Sequence, residues 1–154
     1  MNGAVYLDHN ATAPVRPEAI KAVTRTLSMV GNPSSVHGFG RAAHRLMDDA
    51  REQVAALAGA APEDVVFTGG GSEANNLAIG GCGRRRIVVS AVEHPSILNA
   101  DAAPEVVPVD GDGVIDLDDL DSRLAREGAP ALVSVMLANN ETGTIQPVAD
   151  VVEA

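Results

Sequence analysis

Residues 67–81 read FTGGGSEANNLAIGG. An apolar run at 65–67 precedes three glycines, and a helical pattern opens at Ser72. Glycine has no Cβ, so the backbone can come close to a bound group. A helix start adds free N–H donors and a partial positive charge. The order of strand, glycine loop and helix therefore predicts a cradle for an anion.

Around this stretch, short β-branched runs alternate with helical patterns. The predicted strands are 64–68, 86–90, 105–109 and 131–138, and the predicted helices are 72–79, 95–102, 117–126 and one opening near Pro147. Such alternation predicts a three-layer α/β/α fold with a mostly parallel sheet. Parallel sheets bind ligands where their strands end. The glycine loop, Glu93-His94 and Asn139-Asn140 all follow predicted strand ends, so we expect them on one edge.

The first 63 residues follow a different pattern. YLDHNATAP predicts a short strand and a turn, GNPSSVHG predicts a loop, and helices are predicted at 17–29 and 40–58. We interpret residues 1–15 as an N-terminal arm and 16–154 as one incomplete α/β domain, because a sheet of about four strands is small for this fold.

The composition excludes several classes of protein. The chain has 154 residues, 45% of them apolar, and a formal charge of −10, which argues against nucleic acid or an anionic membrane as partner. A single cysteine, Cys82, rules out an internal disulfide and fits a reducing compartment. The start MNGAVYLDHN is no signal peptide, and no apolar run is long enough for a bilayer. We expect a cytoplasmic protein.

The glycine loop has two other interpretations. It is either a tight turn with Ser72 as a simple N-cap, or a dinucleotide fingerprint that runs from Gly69 to Ala74, with Glu93 at the expected distance. The second interpretation predicts an oxidoreductase. However, that fingerprint usually opens its fold, and it leaves His94-Pro95 unexplained.

The remaining polar motifs each have a structural explanation. Residues 109–121, VDGDGVIDLDDLD, imitate a calcium loop but carry Asp119 where a Glu is required. We therefore predict an acidic turn with Asp116 or Asp118 at a helix start, and no metal site.

His94 is either a loop residue or a ring that stacks and moves protons. The amides of Asn139 and Asn140 cap a turn or contact a ligand, and we expect Glu141 to tie the loop down.

Taken in order, the motifs resemble the cysteine desulfurase family, class V of the fold-type I pyridoxal-phosphate enzymes. The matching stretches are YLDHNATAPVRPEA, NPSSVHGFGR, FTGGGSEANNLAI, SAVEHPSIL, GVIDLDDL and VSVMLANNETGTIQPV. The resemblance implies that the anion is the phosphate of pyridoxal 5′-phosphate, held by the Gly71 N–H and by the N–H and hydroxyl of Ser72. His94 would stack on the pyridine ring and assist proton transfer, and Asn140 would bind the phenolic oxygen. The family usually has Asn at His9 and Thr at Ser72, and the serine keeps the hydroxyl.

The family reaction implies further groups and partners. A lysine holds the cofactor as a Schiff base, L-cysteine displaces it, and a thiolate takes the sulfur as a persulfide and leaves alanine. The sulfur passes to an acceptor or scaffold protein for iron–sulfur clusters or thio-cofactors, and family members are usually homodimers.

This chain lacks the family's lysine and thiolate motifs. Its single lysine is Lys21 on the predicted first helix, and Cys82 in GGCGRRR matches no catalytic motif. We expect the N-terminal part of a desulfurase-like enzyme that is inactive alone, as a fragment, a truncated product or one piece of a split enzyme. A non-catalytic protein that pairs with another desulfurase-like chain is the alternative from a different class.

Overall fold

A computed structural model describes residues 4–9, 12–100, 103–126, 128 and 130–154. The chain divides into two compact units, Met1–Phe67 and Thr68–Ala154. Each unit is described by itself below. The division into an arm at 1–15 and a domain at 16–154 stays a prediction.

The first unit contains the two predicted helices. Helix α1 spans Pro17–Leu27 with proline in its first turn, and helix α2 spans Gly38–Ala58. The His37 side chain caps α2 by accepting the Gly40 N–H, and Gly59 ends it in the left-handed conformation, with φ of 68°. Within the described part of this unit, Ala55 is the one apolar side chain that is buried. The helices therefore form as their sequence patterns predict, with little core beneath them.

The strand predicted at 64–68 is wrong. A short 3-10 helix occupies Pro62–Asp64, and residues 65–68 pair with no strand in the described ranges. The Arg51 guanidinium donates to the Val65 carbonyl, so an oxygen that a sheet ladder would use is already bonded. The strand predicted in YLDHNATAP is also absent from its described residues. There the Tyr6 hydroxyl donates to the carbonyl of Asp8, at 2.7 Å, and holds a turn.

The second unit is built on a three-stranded parallel sheet. Strand β1 spans Arg86–Ser90, β2 spans Glu105–Val107 and β3 spans Ala131–Ser134, in the order β2-β1-β3. In the register of the sheet, Val88 lies opposite Glu105 on one side and Val133 on the other. The two outer strands are shorter than predicted, because Val109 and Ala138 make isolated antiparallel bridges where the chain turns back.

Helices cover both faces of this sheet. They are α3 at Gly71–Gly81, α4 at Pro95–Leu98, α5 at Leu117–Leu124 and α6 at Val148–Glu153. Alternate residues of β1 point to opposite faces. Ile87 and Val89 pack with Ile79 of α3, whereas Val88 packs with Leu120 of α5. The predicted three-layer α/β/α architecture is confirmed for this unit.

An ion pair fixes β2 against β1. The Arg86 guanidinium donates from Nε to Glu105 Oε1 at 2.8 Å, and from Nη2 to the Arg123 carbonyl at 2.9 Å. The hydrogen bond from Arg86 holds the pKa of the Glu105 carboxyl below its ordinary value. The charged pair therefore links the edge strand to the central strand and to the end of α5.

Local polar contacts decide where the connecting segments turn. Helix α4 ends earlier than the predicted 95–102, because Asn99 leaves the helical conformation, with φ of −105° and ψ of 5°; residues 101 and 102 lie outside the described ranges. The predicted acidic turn is confirmed. Asp110 Oδ1 accepts the N–H groups of Asp112 and Val114, and Asp116 caps α5 by accepting the Asp119 N–H.

The described residues contain neither a candidate membrane span nor a candidate metal site. No helix among them is long and apolar enough to cross a membrane. They also contain no group of three or more His, Cys, Asp or Glu side chains placed to hold a metal ion.

We predict that Leu120→Ala lowers the free energy of unfolding by about 2–5 kcal/mol, because it removes a fully buried side chain and leaves a cavity. The matched control is Leu27→Ala, since Leu27 is 81% exposed; its effect should stay within about 0.5 kcal/mol. Urea unfolding followed by circular dichroism measures both. Equal losses for the two variants would contradict the assignment of the core.

Candidate functional site

A buried carboxylate joins the loops that follow β1 and β3. Glu93 is 7% exposed, and its carboxylate accepts the backbone N–H of Met136 and, at 3.3 Å, the hydroxyl of Ser134. Because β1 and β3 are parallel neighbours, both loops leave the same edge of the sheet. The Glu93 carboxylate fixes the distance between them.

A second buried side chain shapes the loop after β3. Asn139 Nδ2 donates to the Val92 carbonyl at 3.2 Å, and its Oδ1 accepts the N–H groups of Glu141 and Thr142 at 2.8 and 2.9 Å. This is the turn-capping role considered for the asparagine pair, and it belongs to Asn139. The Glu141 side chain is exposed, and it is the backbone of Glu141 that is tied into the turn.

The two loops enclose a cavity of about 310 Å³ that contains both predicted ring-contacting residues, His94 and Asn140. Both residues are exposed overall, so they are accessible to a bound molecule. The other lining residues are Ala91, Val92, Glu93, Pro95, Met136, Asn139, Glu141 and Thr142. Of the three motifs expected on one edge, Glu93-His94 and Asn139-Asn140 meet there, whereas the glycine loop follows no strand and does not line this cavity.

The His94 ring is held by the helix it caps. Its Nδ1 accepts the Ser96 N–H at 3.1 Å and lies 2.7 Å from the Ser96 hydroxyl. A neutral imidazole that accepts at Nδ1 carries its proton on Nε2. Nε2 therefore remains for a ligand, and it has no hydrogen-bond partner within the described part of the chain.

The glycine loop forms the start of α3. Gly70 is the N-cap and Gly71 the first helical residue, so Ser72 lies one position inside the helix and the simple N-cap interpretation of Ser72 is wrong. The first helical bond runs from Ala74 N–H to the Gly70 carbonyl, at 3.1 Å. The N–H groups of Gly71 and Ser72 and the Ser72 hydroxyl have no acceptor or donor partner among the described residues.

The loop has room for a bound group. A Cβ built at Gly70 or Gly71 would meet no protein atom within 4 Å, so packing within the chain does not require glycine there. The Glu73 carboxylate accepts the Gly69 N–H, which fixes the loop and places that carboxylate against the backbone. Free donors, open space and a helix N-terminus fit a phosphate.

The start of α3 at Gly70, Gly71 and Ser72, which we call the cradle, is separate from the cavity. A hydrogen bond between α3 and α4 links the two. Gly71 and Ser72 do not line the cavity. Asn75, one turn further along α3, donates from Nδ2 to the Ser96 hydroxyl at 2.8 Å, and Ser96 contacts His94. Sequence reasoning missed Asn75 and Ser96. Their positions in the sequence could have indicated them, because Asn75 lies three residues after Ser72 and Ser96 lies two residues after His94.

The contacts of Glu93 argue against the dinucleotide interpretation. That interpretation needs a carboxylate free to bind a ribose hydroxyl. Both Glu93 oxygens instead accept hydrogen bonds. One comes from the hydroxyl of Ser134, the last residue of β3, and the other from the N–H of Met136 just beyond it. Glu93 therefore has a structural role.

The second unit has an α/β fold, and comparison with known proteins gives its family. The model of the aminotransferase class-V family matches residues 5–154, and the chain belongs to this family. A cysteine desulfurase of Frankia sp. (strain EuIK1) is 45% identical over 97% of the chain and 41% of its own length. An IscS-like cysteine desulfurase of Mycobacterium tuberculosis is 41% identical over 94% of the chain, again 41% of its length.

A solved structure gives the same result. The NifS-like protein from Rickettsia africae ESF-5 superposes with a TM-score of 0.85 at 34% identity, over 97% of this chain and 44% of that one. The resemblance drawn from the motifs is confirmed, and the dinucleotide alternative is not favoured. The chain spans less than half the length of these relatives.

We predict that Glu93→Ala destabilises the second unit by about 1–3 kcal/mol, because it leaves the Met136 N–H without its acceptor. Glu93→Gln keeps an acceptor and should lose less. Glu141→Ala removes an exposed carboxylate of the same cavity and serves as control. Urea unfolding gives the free energies, and a Glu93→Ala variant as stable as Glu141→Ala would show that the loops are not joined by this carboxylate.

Proposed function

We propose that these 154 residues form the phosphate- and ring-binding side of a pyridoxal 5′-phosphate site in a cysteine desulfurase. The observation that carries the proposal is the cavity shared by His94 and Asn140, next to a helix that presents unpaired donors at Gly71 and Ser72.

In this proposal the phosphate binds at the start of α3. The Gly71 N–H and the N–H and hydroxyl of Ser72 donate to its oxygens, and the helix dipole adds to the attraction. The missing Cβ atoms at Gly70 and Gly71 let the phosphate approach the backbone.

The ring binds in the cavity. His94 would contact the cofactor ring with its imidazole, and its Nε2 would hold or move a proton. Asn140 donates to the phenolic oxygen and orients the ring. The anchors on either side, Glu93 and Asn139, keep these two groups at a fixed separation.

When bound, the cofactor supplies an electron sink for the carbanion chemistry of an amino-acid substrate. The substrate of the complete enzyme would be L-cysteine, with its sulfur passed to an acceptor or scaffold protein. The names of the relatives support this. A homodimer in a reducing cytoplasm is part of the same proposal, and the single cysteine is consistent with it.

The proposal also implies that these residues alone do not turn over cysteine. Lys21, the lysine of the sequence, lies on α1 in the first unit, and Cys82, its cysteine, does not line the cavity of His94 and Asn140. The Cys82 thiol is half-buried and donates to the Ile79 carbonyl at 3.0 Å.

The proposal predicts saturable binding of 4-deoxypyridoxine 5′-phosphate. This probe has the phosphate and the ring but no aldehyde, so it cannot react with the Lys21 amine. The chain has no tryptophan, so equilibrium dialysis read at the absorbance of the probe is the suitable measurement. Ser72→Ala should weaken binding about 10-fold, because it removes a hydrogen bond to a charged group worth roughly 1.5 kcal/mol.

Ser122→Ala is the matched control, since Ser122 is exposed on α5. It should bind like the wild type, and NAD should not compete. No saturable binding, competition by NAD, or equal affinities for the Ser72 and Ser122 variants would overturn the proposed cofactor site.

A further inference from the structure

A chain of side-chain hydrogen bonds runs from α3 to the His94 ring. Asn75 Nδ2 lies 2.8 Å from Ser96 Oγ, and Ser96 Oγ lies 2.7 Å from His94 Nδ1. Asn75 and Ser96 are half-buried, and no water bridge is needed at these distances. We call these three residues the relay.

The donor and acceptor in each hydrogen bond of the relay follow from the chemistry of the three side chains. The amide nitrogen of Asn75 can only donate, so the Ser96 oxygen accepts from it. The single hydroxyl proton of Ser96 then points to His94 Nδ1, which also accepts the Ser96 backbone N–H. With two donors directed at Nδ1, the rotation of the ring about its bonds is restricted.

The relay starts on the helix that carries the anion cradle. Asn75 lies three residues after Ser72, and residues at this spacing are neighbours on one side of a helix. A displacement of α3 would therefore be transmitted to the imidazole.

We infer that Asn75 and Ser96 are positioning residues that set the orientation of the His94 ring relative to the phosphate-binding start of α3. The inference rests on the proposed function, in which His94 faces the ring of the bound cofactor. Neither residue touches the cofactor, and both act through His94. Their effect should appear in binding of the ring and not in binding of phosphate.

The first test uses the free chain. The ¹⁵N resonance of His94 Nδ1, assigned with a His94→Gln variant, should move to higher frequency in Ser96→Ala, because one hydrogen-bond donor is lost. Ser96→Thr keeps a hydroxyl and should restore the wild-type shift. An unchanged Nδ1 resonance in Ser96→Ala would show that the relay does not exist, whatever the chain binds.

The second test compares two ligands by equilibrium dialysis. Ser96→Ala and Asn75→Ala should each weaken 4-deoxypyridoxine 5′-phosphate about 2- to 10-fold, the equivalent of one net hydrogen bond of about 0.5–1.5 kcal/mol. Both should leave the affinity for inorganic phosphate unchanged, and Ser96→Thr should bind the ring compound like the wild type. Ser122→Ala is again the control.

The two proposals fail in different ways. A wild-type chain that binds no ring compound would end the proposed function. A wild-type chain that binds it, with Ser96→Ala binding equally well, would overturn the positioning role alone. Equal losses for the ring compound and for phosphate would also overturn it, because Ser96 would then support the cradle.

Discussion

The hydrogen bonds of the Glu93 carboxylate are the contacts on which the rest of the site depends. This carboxylate is buried at the end of the central strand, and it accepts from the backbone just beyond β3. A buried carboxylate is costly unless its oxygens are bonded, so the loop after β3 is held where it satisfies Glu93. His94 is the next residue, which means that its backbone is placed by the same contact, while Ser96 contacts the ring.

The order of the strands in the sheet also places the loops of the site. Parallel pairing of β1 with β3 brings two strand ends to one edge, and Asn139 then folds the second loop back onto the Val92 carbonyl. Helix α3 packs on the same face of the sheet as α4, and the bond from Asn75 to Ser96 joins them. The groups proposed to bind the cofactor come from three separate stretches of sequence, and polar contacts between side chains and loops hold these stretches together.

The sequence predicted the central strand correctly, because RIVVS is short, β-branched and buried on both sides. It failed at residues 64–68, where the apolar pattern was right for a strand but Arg51 bonds the Val65 carbonyl. Such a contact is invisible to a local pattern. Likewise, Glu93 matched the spacing of a ribose-binding acid, although its partners lie more than 40 residues away in the chain. Residue types left His94 and Asn140 open between a structural and a binding role, the family resemblance predicted the binding role, and the contacts that hold their loops needed the structure.

The central claim is that one small phosphorylated ring contacts the start of α3 and both loops at once. Titration of the ¹⁵N-labelled chain with 4-deoxypyridoxine 5′-phosphate, followed by heteronuclear NMR, tests this most directly. We expect the Gly71 and Ser72 amides, the His94 ring and the Asn140 side-chain amide to shift along one saturation curve with a single dissociation constant. Shifts confined to one of these groups, or separate dissociation constants for the cradle and the cavity, would contradict it.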